Sequence, residues 1–386
     1  MRCSILPSAI LVAVFVAFPA QAEEPAKRQS LAEQLTKPVT FSYNATPLKF
    51  VIEDLKDKLK VPCVLDVKTL EEAAISIECP VSGKSGGNSA LEDINELLRP
   101  SRLMAEVRYD VLYVSTWDRQ LRLLVARFYR LRQVGDPTNL IKQITTQTAV
   151  ETWRNAGGGA SIAPIGTGMV VISQAPATHR DIERKYAKEL LAVAAPTERI
   201  AALAPTKGPN PIGKLLDALR SSASAEYPET PLADMVGDFA RHNKVKLVLD
   251  TESIKQARIS LETPVTVNLR HVPLESVLTL VLRDVNLTWT IDGEQLLITT
   301  PEVATKRLIT IDYEARDLAP ANDSDSIIKA LTSTVQPSSW EGVGGPGKIT
   351  AADGALHIAQ SVQVHRTIET WLADLRQAMQ PTRTEK

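Results

Sequence analysis

The sequence predicts an α+β fold of four small modules, arranged as two tandem copies of one two-module unit. Three observations predict this fold. A long stretch of the sequence recurs once, each copy alternates short apolar strands with amphipathic helices, and a proline- and alanine-rich segment separates the copies. The composition is ordinary for globular domains, with 44% hydrophobic and 23% charged residues. A formal charge of −1 gives no basic excess, so we expect no nucleic-acid partner.

Residues 1–22 have the pattern of a cleavable export signal. Arg2 precedes an apolar run from Ile5 to Phe18, and Ala20-Gln21-Ala22 forms a small-x-small cleavage site. Cleavage after Ala22 predicts a periplasmic or secreted protein. No later run approaches the roughly 18 apolar residues of a membrane helix, so we expect no integral membrane segment after cleavage. An uncleaved signal acting as a single anchor stays open as the alternative.

The repeat is clearest where Thr46–Asp66 aligns with Thr230–Asp250, at an offset of 184 residues. Further pairings follow, the first with a one-residue gap: Leu91 with Leu274, Leu123 with Leu308, Trp153 with Trp340, and Gly157 with Gly344. The chain therefore divides into eight predicted segments: a signal peptide at 1–22, a linker and helix at 23–38, module A1 at 39–117, module B1 at 118–195, a linker at 196–213, module A2 at 214–301, module B2 at 302–380 and a tail at 381–386. Modules A1 and B1 form copy one, and modules A2 and B2 form copy two.

Each A module is predicted to run helix, strand, helix and hairpin. In A1 the apolar side chains of Leu48–Lys60 fall on one helical face, a strand follows at Val61–Leu65, and a second helix lies near Leu91–Leu98. In A2 the dipeptide Asp292-Gly293 supplies a tight turn between two alternating strands.

Each B module is predicted to run strand, helix, strand, strand and helix. In B1 the first strand is Leu123–Leu131, the first helix lies near Asn139–Trp153, and the closing helix extends from His179 to Leu191. In B2 the closing helix extends from His365 to Met379.

The segment Gly83-Lys84-Ser85-Gly86-Gly87 satisfies G-x-S-x-G, the turn that presents a nucleophilic serine in many hydrolases. Its counterpart in copy two, Val267–His271, belongs to an alternating strand. Such an elbow also needs a buried parallel sheet, for which small modules leave no room. The sequence therefore predicts a loop around Ser85. A phosphate-binding loop is favoured even less than the hydrolase turn, because Glu78 replaces the required glycine.

Several other residues recur at equivalent places and invite a functional interpretation: Trp153 and Trp340, Gly158 and Gly345, and His179 and His365. We interpret the glycines as turn residues, the tryptophans as core residues beneath the loop and the histidines as packing or hydrogen-bonding groups at a helix start. A ligand-facing loop is the alternative for this segment. Neither copy has ligands at metal-binding spacing, so we expect no metal and no cofactor.

Two cysteines follow the predicted signal, Cys63 and Cys79. In an exported protein they could form a disulfide that closes a loop of about 16 residues and contributes on the order of 3 kcal/mol. Two small buried thiols are the alternative, and the sequence leaves both open.

The A modules resemble the secretin and TonB short N-terminal domain. The resemblance lies in "TPLKFVIEDLKDKLKVPCVLD" of copy one and in "TPLADMVGDFARHNKVKLVLD", "VPLE" and the "LLI" hairpin of copy two. The B modules are similar to the small N1-like domains that follow it in secretins of type II and III secretion systems. This family implies periplasmic, non-enzymatic modules that stack into rings and bind partner subunits, often through strand edges. A secretin continues into an outer-membrane pore domain, whereas this sequence stops at Lys386, so we expect an accessory protein.

The function expected from these observations is a non-enzymatic protein-interaction scaffold of the cell envelope or secretion machinery, with a homo-oligomeric ring as one form of assembly. An exported serine hydrolase that uses Ser85 is one alternative. A binder of cell-wall glycans or small ligands, using Trp153 and Trp340, is the other.

Overall fold

Six small sheets and the helices between them make up the structure, a computed structural model that describes residues 31–193, 212–318 and 324–380, with the backbone alone at 120–122. The architecture is α+β, as the sequence predicts. The predicted signal peptide and its cleavage site, most of the 196–213 linker and the 381–386 tail lie outside the described residues. Among the described helices, none combines the length and the apolar character that a bilayer span requires.

Module A1 and the segment before it contain α1 (Leu31–Gln34), β1 (Ser42–Pro47), α2 (Leu48–Leu59), β2 (Cys63–Leu65), α3 (Val67–Glu72), β3 (Pro80–Lys84), α4 (Ala90–Leu98), β4 (Leu103–Arg108) and β5 (Val111–Thr116). β1 pairs antiparallel with β3, and β5 lies between parallel β2 and antiparallel β4. α2 ends at Lys60, which is left-handed at φ 56°, and α4 begins with a capping box formed by Ser89 and Glu92. The apolar faces of both helices are buried against the sheets.

Module B1 follows α5 (Trp117–Arg122) and contains β6 (Val125–Leu131), α6 (Thr138–Gln147), β7 (Ser161–Ile165), β8 (Met169–Gln174), α7 (Pro176–Lys185) and β9 (Leu190–Ala192). Its sheet has the order β7-β8-β6-β9. The predicted closing helix to Leu191 is wrong, because α7 ends at Lys185 and the chain turns back as β9 along β6. Leu190 is thereby buried beside Tyr129, and β9 satisfies the backbone edge of β6.

Copy two repeats this order of elements, except that no described strand follows its last helix as β9 follows α7. Module A2 contains α8 (Gly213–Arg220), β10 (Ser222–Pro231), α9 (Leu232–Asn243), β11 (Leu247–Leu249), α10 (Thr251–Gln256), β12 (Pro264–Pro273), α11 (Leu274–Asp284), β13 (Thr288–Asp292) and β14 (Gln295–Thr299). Module B2 follows α12 (Pro301–Lys306) and contains β15 (Ile309–Glu314), α13 (Ser324–Thr334), β16 (Lys348–Ala352), β17 (Ala355–Gln360) and α14 (Val362–Met379). The sheets have the orders β10-β12, β11-β14-β13 and β15-β17-β16.

The structure shifts the predicted sequence alignment of the two copies by one residue in two places. Ala90 and Leu274 are both the first residue of their helix and both fully buried, so the predicted gap that paired Leu91 with Leu274 is wrong. The pairing of Leu123 with Leu308 is displaced in the same way, because Tyr129 and Tyr313 make the same contacts. A slip of one residue in a strand would exchange its two faces, so the buried side chains fix the register.

Modules B1 and B2 stack with the helices of B2 between the two sheets. The face of the B1 sheet that points away from its own helices is apolar, with Phe128, Ala163 and Val171 buried against α13 and α14. Phe128 meets Trp371 edge to face, with ring centroids 5.1 Å apart. Arg154 of B1 donates to the carbonyl of Ser333 in α13 at 3.0 Å.

The corresponding face of the B2 sheet is polar. Asp312 takes the place of Phe128, and it pairs with exposed His357 at 2.7 Å, which takes the place of Val171. Thr350 takes the place of Ala163. Two sheets with the same strand order therefore differ in their outer faces, and the polar one ends the stack as a capping repeat does.

Candidate functional site: strand edges and the Trp340 cleft

Ser85 lies in a loop that the structure holds in place. β3 ends at Lys84, and the Ser85 hydroxyl accepts from the N–H of Phe41 at 3.2 Å and donates to its carbonyl at 3.4 Å. The buried carboxylate of Asp93 accepts from the N–H groups of Gly86 and Gly87 at 3.0 and 3.1 Å. No hydrogen bond joins Ser85 to a histidine in the described part of the chain, and β3 belongs to an antiparallel pair instead of a parallel sheet. This arrangement has neither the base nor the scaffold of a nucleophile elbow.

Cys63 and Cys79 are free thiols in the structure. Both side chains pack at the margin of the A1 core. Burial raises the pKa of the Cys63 thiol to about 12, so at neutral pH it is an unreactive thiol.

The recurring tryptophans and glycines close the same loop in each B module. Both indoles are buried, and each donates its N–H to the backbone, Trp153 to Thr148 and Trp340 to Val335, at 2.7 Å. A Cβ on Gly158 would overlap the backbone of Thr152. In B2 a Cβ on Gly345 would overlap the backbone of Ser339 in the same way. Buried indoles offer no stacking platform to a glycan.

The recurring histidines form buried pairs with tyrosines. His179 Nε2 donates to the carbonyl of Val125 at 2.8 Å, and its Nδ1 lies 2.8 Å from the Tyr129 hydroxyl, whose proton also faces Glu183 Oε1 at 3.1 Å. His365 makes the same contacts with Ile309 and Tyr313 at 2.9 Å. The carbonyl acceptors place a proton on Nε2 of each ring, and burial lowers the pKa of each histidine to about 4, so each imidazole is neutral at neutral pH.

The two buried histidines predict loss of stability in mild acid. Each imidazole has a pKa near 4 in the folded chain against an ordinary value of 6.5, so the unfolded state binds more protons between these values. The free energy of unfolding is therefore unaffected by these groups above pH 6.5. It falls as the pH drops towards 4, by about 1–3 kcal/mol for each histidine. Urea unfolding across this range, together with NMR titration of both imidazoles, measures it. An imidazole of the folded protein that titrates near 6.5 would contradict the prediction.

Several strand edges in the described residues are covered by specific groups. β9 fills the edge of β6, and Arg376 donates to the carbonyl of Glu314 on the edge of β15. The side-chain amide of Asn95 bonds the N–H and carbonyl of Ala105 on β4, at 2.8 and 3.1 Å. Gln363 donates to the carbonyl of Trp289 on β13. These groups oppose edge-to-edge pairing.

Other edges are short or irregular. β2, β9 and β11 are three residues long, and the ladders β1–β3 and β10–β12 contain register shifts. On β7, Pro164 removes one backbone donor and α13 packs alongside.

β16 differs from all of these. It pairs with β17 in a regular ladder on one side, no described strand pairs with its other side, and most of its residues are exposed. Ala352 and Ala355 close a two-residue turn, so Ile349 and Ala351 hold the positions whose N–H and carbonyl groups point away from β17. Ala351 lies where β7 has Pro164, so copy two presents the edge that copy one blocks.

A cleft of about 410 Å³ adjoins the start of β16. Its lining combines apolar groups with charges of both signs, including Val343, Lys348, Ile349, Glu341 and Arg154. Val343 is 65% exposed, which is unusual for a large aliphatic side chain. An exposed strand edge beside an apolar side chain and a cleft is the arrangement that binds an extended peptide.

The predicted order of elements in B2 includes the strand β16, but neither its open edge nor the groups that cover the other edges were predicted from the sequence. The proline inside the β7 pattern was a readable signal, because proline is confined to edges and bulges. Asn95 and Arg376 had no such signal, since each acts on a strand that is distant in the sequence. No cluster of three or more His, Cys, Asp or Glu side chains in the described residues is placed to bind a metal ion.

No protein-family model matches the chain, and no curated protein matches it. Solved structures similar to parts of the chain come from secretion systems. One is the InvGN0N1:SpaPQR:PrgHK assembly of the Salmonella SPI-1 injectisome base, with 13% sequence identity, coverage of 39% of this chain and 92% of that chain, and a TM-score of 0.18. Another is the N-terminal domain of the secretin XcpQ from Pseudomonas aeruginosa, as a dimeric cysteine mutant, with 16% identity, coverage of 40% of this chain and 64% of that chain, and a TM-score of 0.14. A third is the GspC–GspD complex of enterotoxigenic Escherichia coli, with 10% identity, coverage of 40% of this chain and 99% of that chain, and a TM-score of 0.15. At these TM-scores the similarity supports no inference about activity or partners.

Proposed function

We propose that the chain is a non-enzymatic periplasmic interaction scaffold of a secretin-type envelope assembly. It consists of two tandem copies of an A and a B module, and it binds an extended segment of an envelope or secretion protein along β16. The observation that carries this proposal is the exposed edge of β16, which among the described residues has no proline, strand or side chain covering it as the other regular edges have. Backbone hydrogen bonds from Ile349 and Ala351 would supply affinity, and the adjoining cleft would select side chains.

Replacing Ala351 with proline tests the site. Ala351→Pro removes an outward N–H, so we expect loss of partner binding with a change in stability of less than about 1 kcal/mol, because Pro164 is accommodated at the same position of β7. The measurement is photo-crosslinking from residue 352 in the cell envelope, followed by quantification of each crosslinked protein.

Thr350→Ala is the matched control. It removes an exposed side chain from the same strand and leaves the backbone edge intact, so the crosslinks should persist. Crosslinks that survive Ala351→Pro, or that Thr350→Ala abolishes, would contradict recognition through the backbone. Light scattering of the purified chain separates a foreign partner from a second copy, since self-pairing of β16 would give a concentration-dependent dimer that Ala351→Pro abolishes.

A further inference from the structure

All four modules meet around a second cleft, which is separate from β16. It has a volume of about 370 Å³. The β4–β5 turn of A1, the start of β6 in B1, β13 in A2 and α14 in B2 line it, and Tyr109, Leu124, Trp289 and Trp371 contribute apolar surface. Clefts of this size between domains are typical of small-molecule sites.

The cleft is elongated along one stripe of α14. Gln363, Thr367, Thr370 and Asp374 follow one another at intervals of three or four residues, so they share one helical face. Gln363 and Asp374 lie about 16 Å apart at the usual rise of a helix. The two ends of the cleft are therefore marked by different polar groups.

Both of these end groups are hydrogen-bond acceptors without a donor among the described residues. Gln363 Nε2 donates to the carbonyl of Trp289, and this bond fixes the orientation of the side-chain amide. The Oε1 atom of the same amide is buried and has no hydrogen-bond partner among the described residues. Asp374 makes no hydrogen bond or ion pair within the described part of the chain. Burial raises the pKa of Asp374 to about 6, which still leaves its carboxylate ionised at neutral pH.

The charge of Asp374 is not neutralised by the cations that line the cleft. Arg366 pairs with Glu275 at 3.1 Å and Arg108 lies 3.8 Å from Glu106, so each of these arginines already has a carboxylate. The indole N–H groups are also engaged, because Trp289 donates to Thr279 and Trp371 to Thr334. The cleft thus offers apolar walls and, at Asp374, a carboxylate that has no hydrogen-bond donor or cation partner among the described residues.

We propose that this cleft binds a small organic amine with an apolar body, whose ammonium group lies against Asp374. The apolar body would cover Leu124, which is 43% exposed. An ammonium donates to the carboxylate with charge assistance, and such bonds are the stronger ones when water is excluded. This amine site shares no lining residue with β16 and needs no protein partner.

Calorimetry of the purified chain with three matched probes tests the proposal: 4-phenylbutylamine, 4-phenylbutanol and 4-phenylbutyrate. At neutral pH we expect one amine per chain and an affinity at least about tenfold above that of the alcohol, because a hydrogen bond between two charged groups is stronger than one from a neutral hydroxyl. The acid should bind most weakly. Equal affinity for amine and alcohol, or no measurable heat with the amine, would overturn the proposal.

Two variants locate the binding. Asp374→Asn should reduce the affinity for the amine to that of the alcohol and leave the alcohol unaffected, whereas Asp353→Asn, at the exposed β16–β17 turn, should change neither. Thr367→Trp fills the cleft from an exposed position and should abolish amine binding at an unchanged melting temperature. Amine binding that survives both Asp374→Asn and Thr367→Trp would place the site elsewhere.

Discussion

Gly345→Ala is expected to lower the free energy of unfolding by about 3 kcal/mol, near the upper end of what overpacking a rigid site costs. The added methyl group would overlap the backbone of Ser339, and the N–H of Gly345 is already fixed by a 2.9 Å bond to the carbonyl of Trp340. Neither backbone segment can move without opening the loop over the buried indole. Urea denaturation followed by tryptophan fluorescence measures the effect.

Gly342→Ala is the matched control in the same loop. A Cβ at Gly342 would meet nothing within 4 Å, so this change should be neutral or stabilise the chain by up to about 1 kcal/mol through the unfolded state. Gly158→Ala, which would strike Thr152 in the B1 loop, should match Gly345→Ala. If Gly345→Ala proved as mild as Gly342→Ala, the close approach of the loop to Ser339 would be disproved.

The second large effect is expected from Phe128→Asp, which gives the B1 sheet the residue that B2 carries at the same place. Phe128 is 3% exposed and packs against Trp371 in α14, so the change both removes an aromatic side chain and buries a carboxylate. We expect a loss of about 4 kcal/mol in the stability of the paired B modules. Urea unfolding followed by tryptophan fluorescence and circular dichroism measures this loss.

The reciprocal change, Asp312→Phe, serves as the control. Asp312 lies on the exposed face of the B2 sheet, and its pair with His357 is exposed, so the substitution should alter stability by less than about 1 kcal/mol. Exchanging phenylalanine and aspartate at these two equivalent positions would then change the free energy of unfolding by different amounts. Equal effects of Phe128→Asp and Asp312→Phe would show that the B1 sheet face is not covered by α13 and α14.

Part of the candidate site was readable from the sequence. The glycines beside Trp153 and Trp340 and the histidines near their helix starts were predicted as structural residues, because turns, caps and helix starts depend on neighbouring residues. The predicted loop at Gly83–Gly87 begins only at Ser85, since Gly83 and Lys84 pair with β1 as part of β3. The open edge of β16 was not readable. Exposure of an edge depends on which distant group reaches it, as Arg376 reaches Glu314, and periodicity carries no information about that contact.

The sequence by itself determined the α+β class and most helices and strands of each module, because hydrophobic period and turn chemistry act over a few residues. Only the tertiary structure decided the register between the copies, the end of α7 at Lys185 with β9 beyond it, and the different outer faces of the two B sheets. Each of these depends on burial against residues far along the chain. Phe128 and Asp312 show the reason, since their strands share one backbone pairing and only the presence of α14 makes one face a core and the other a surface.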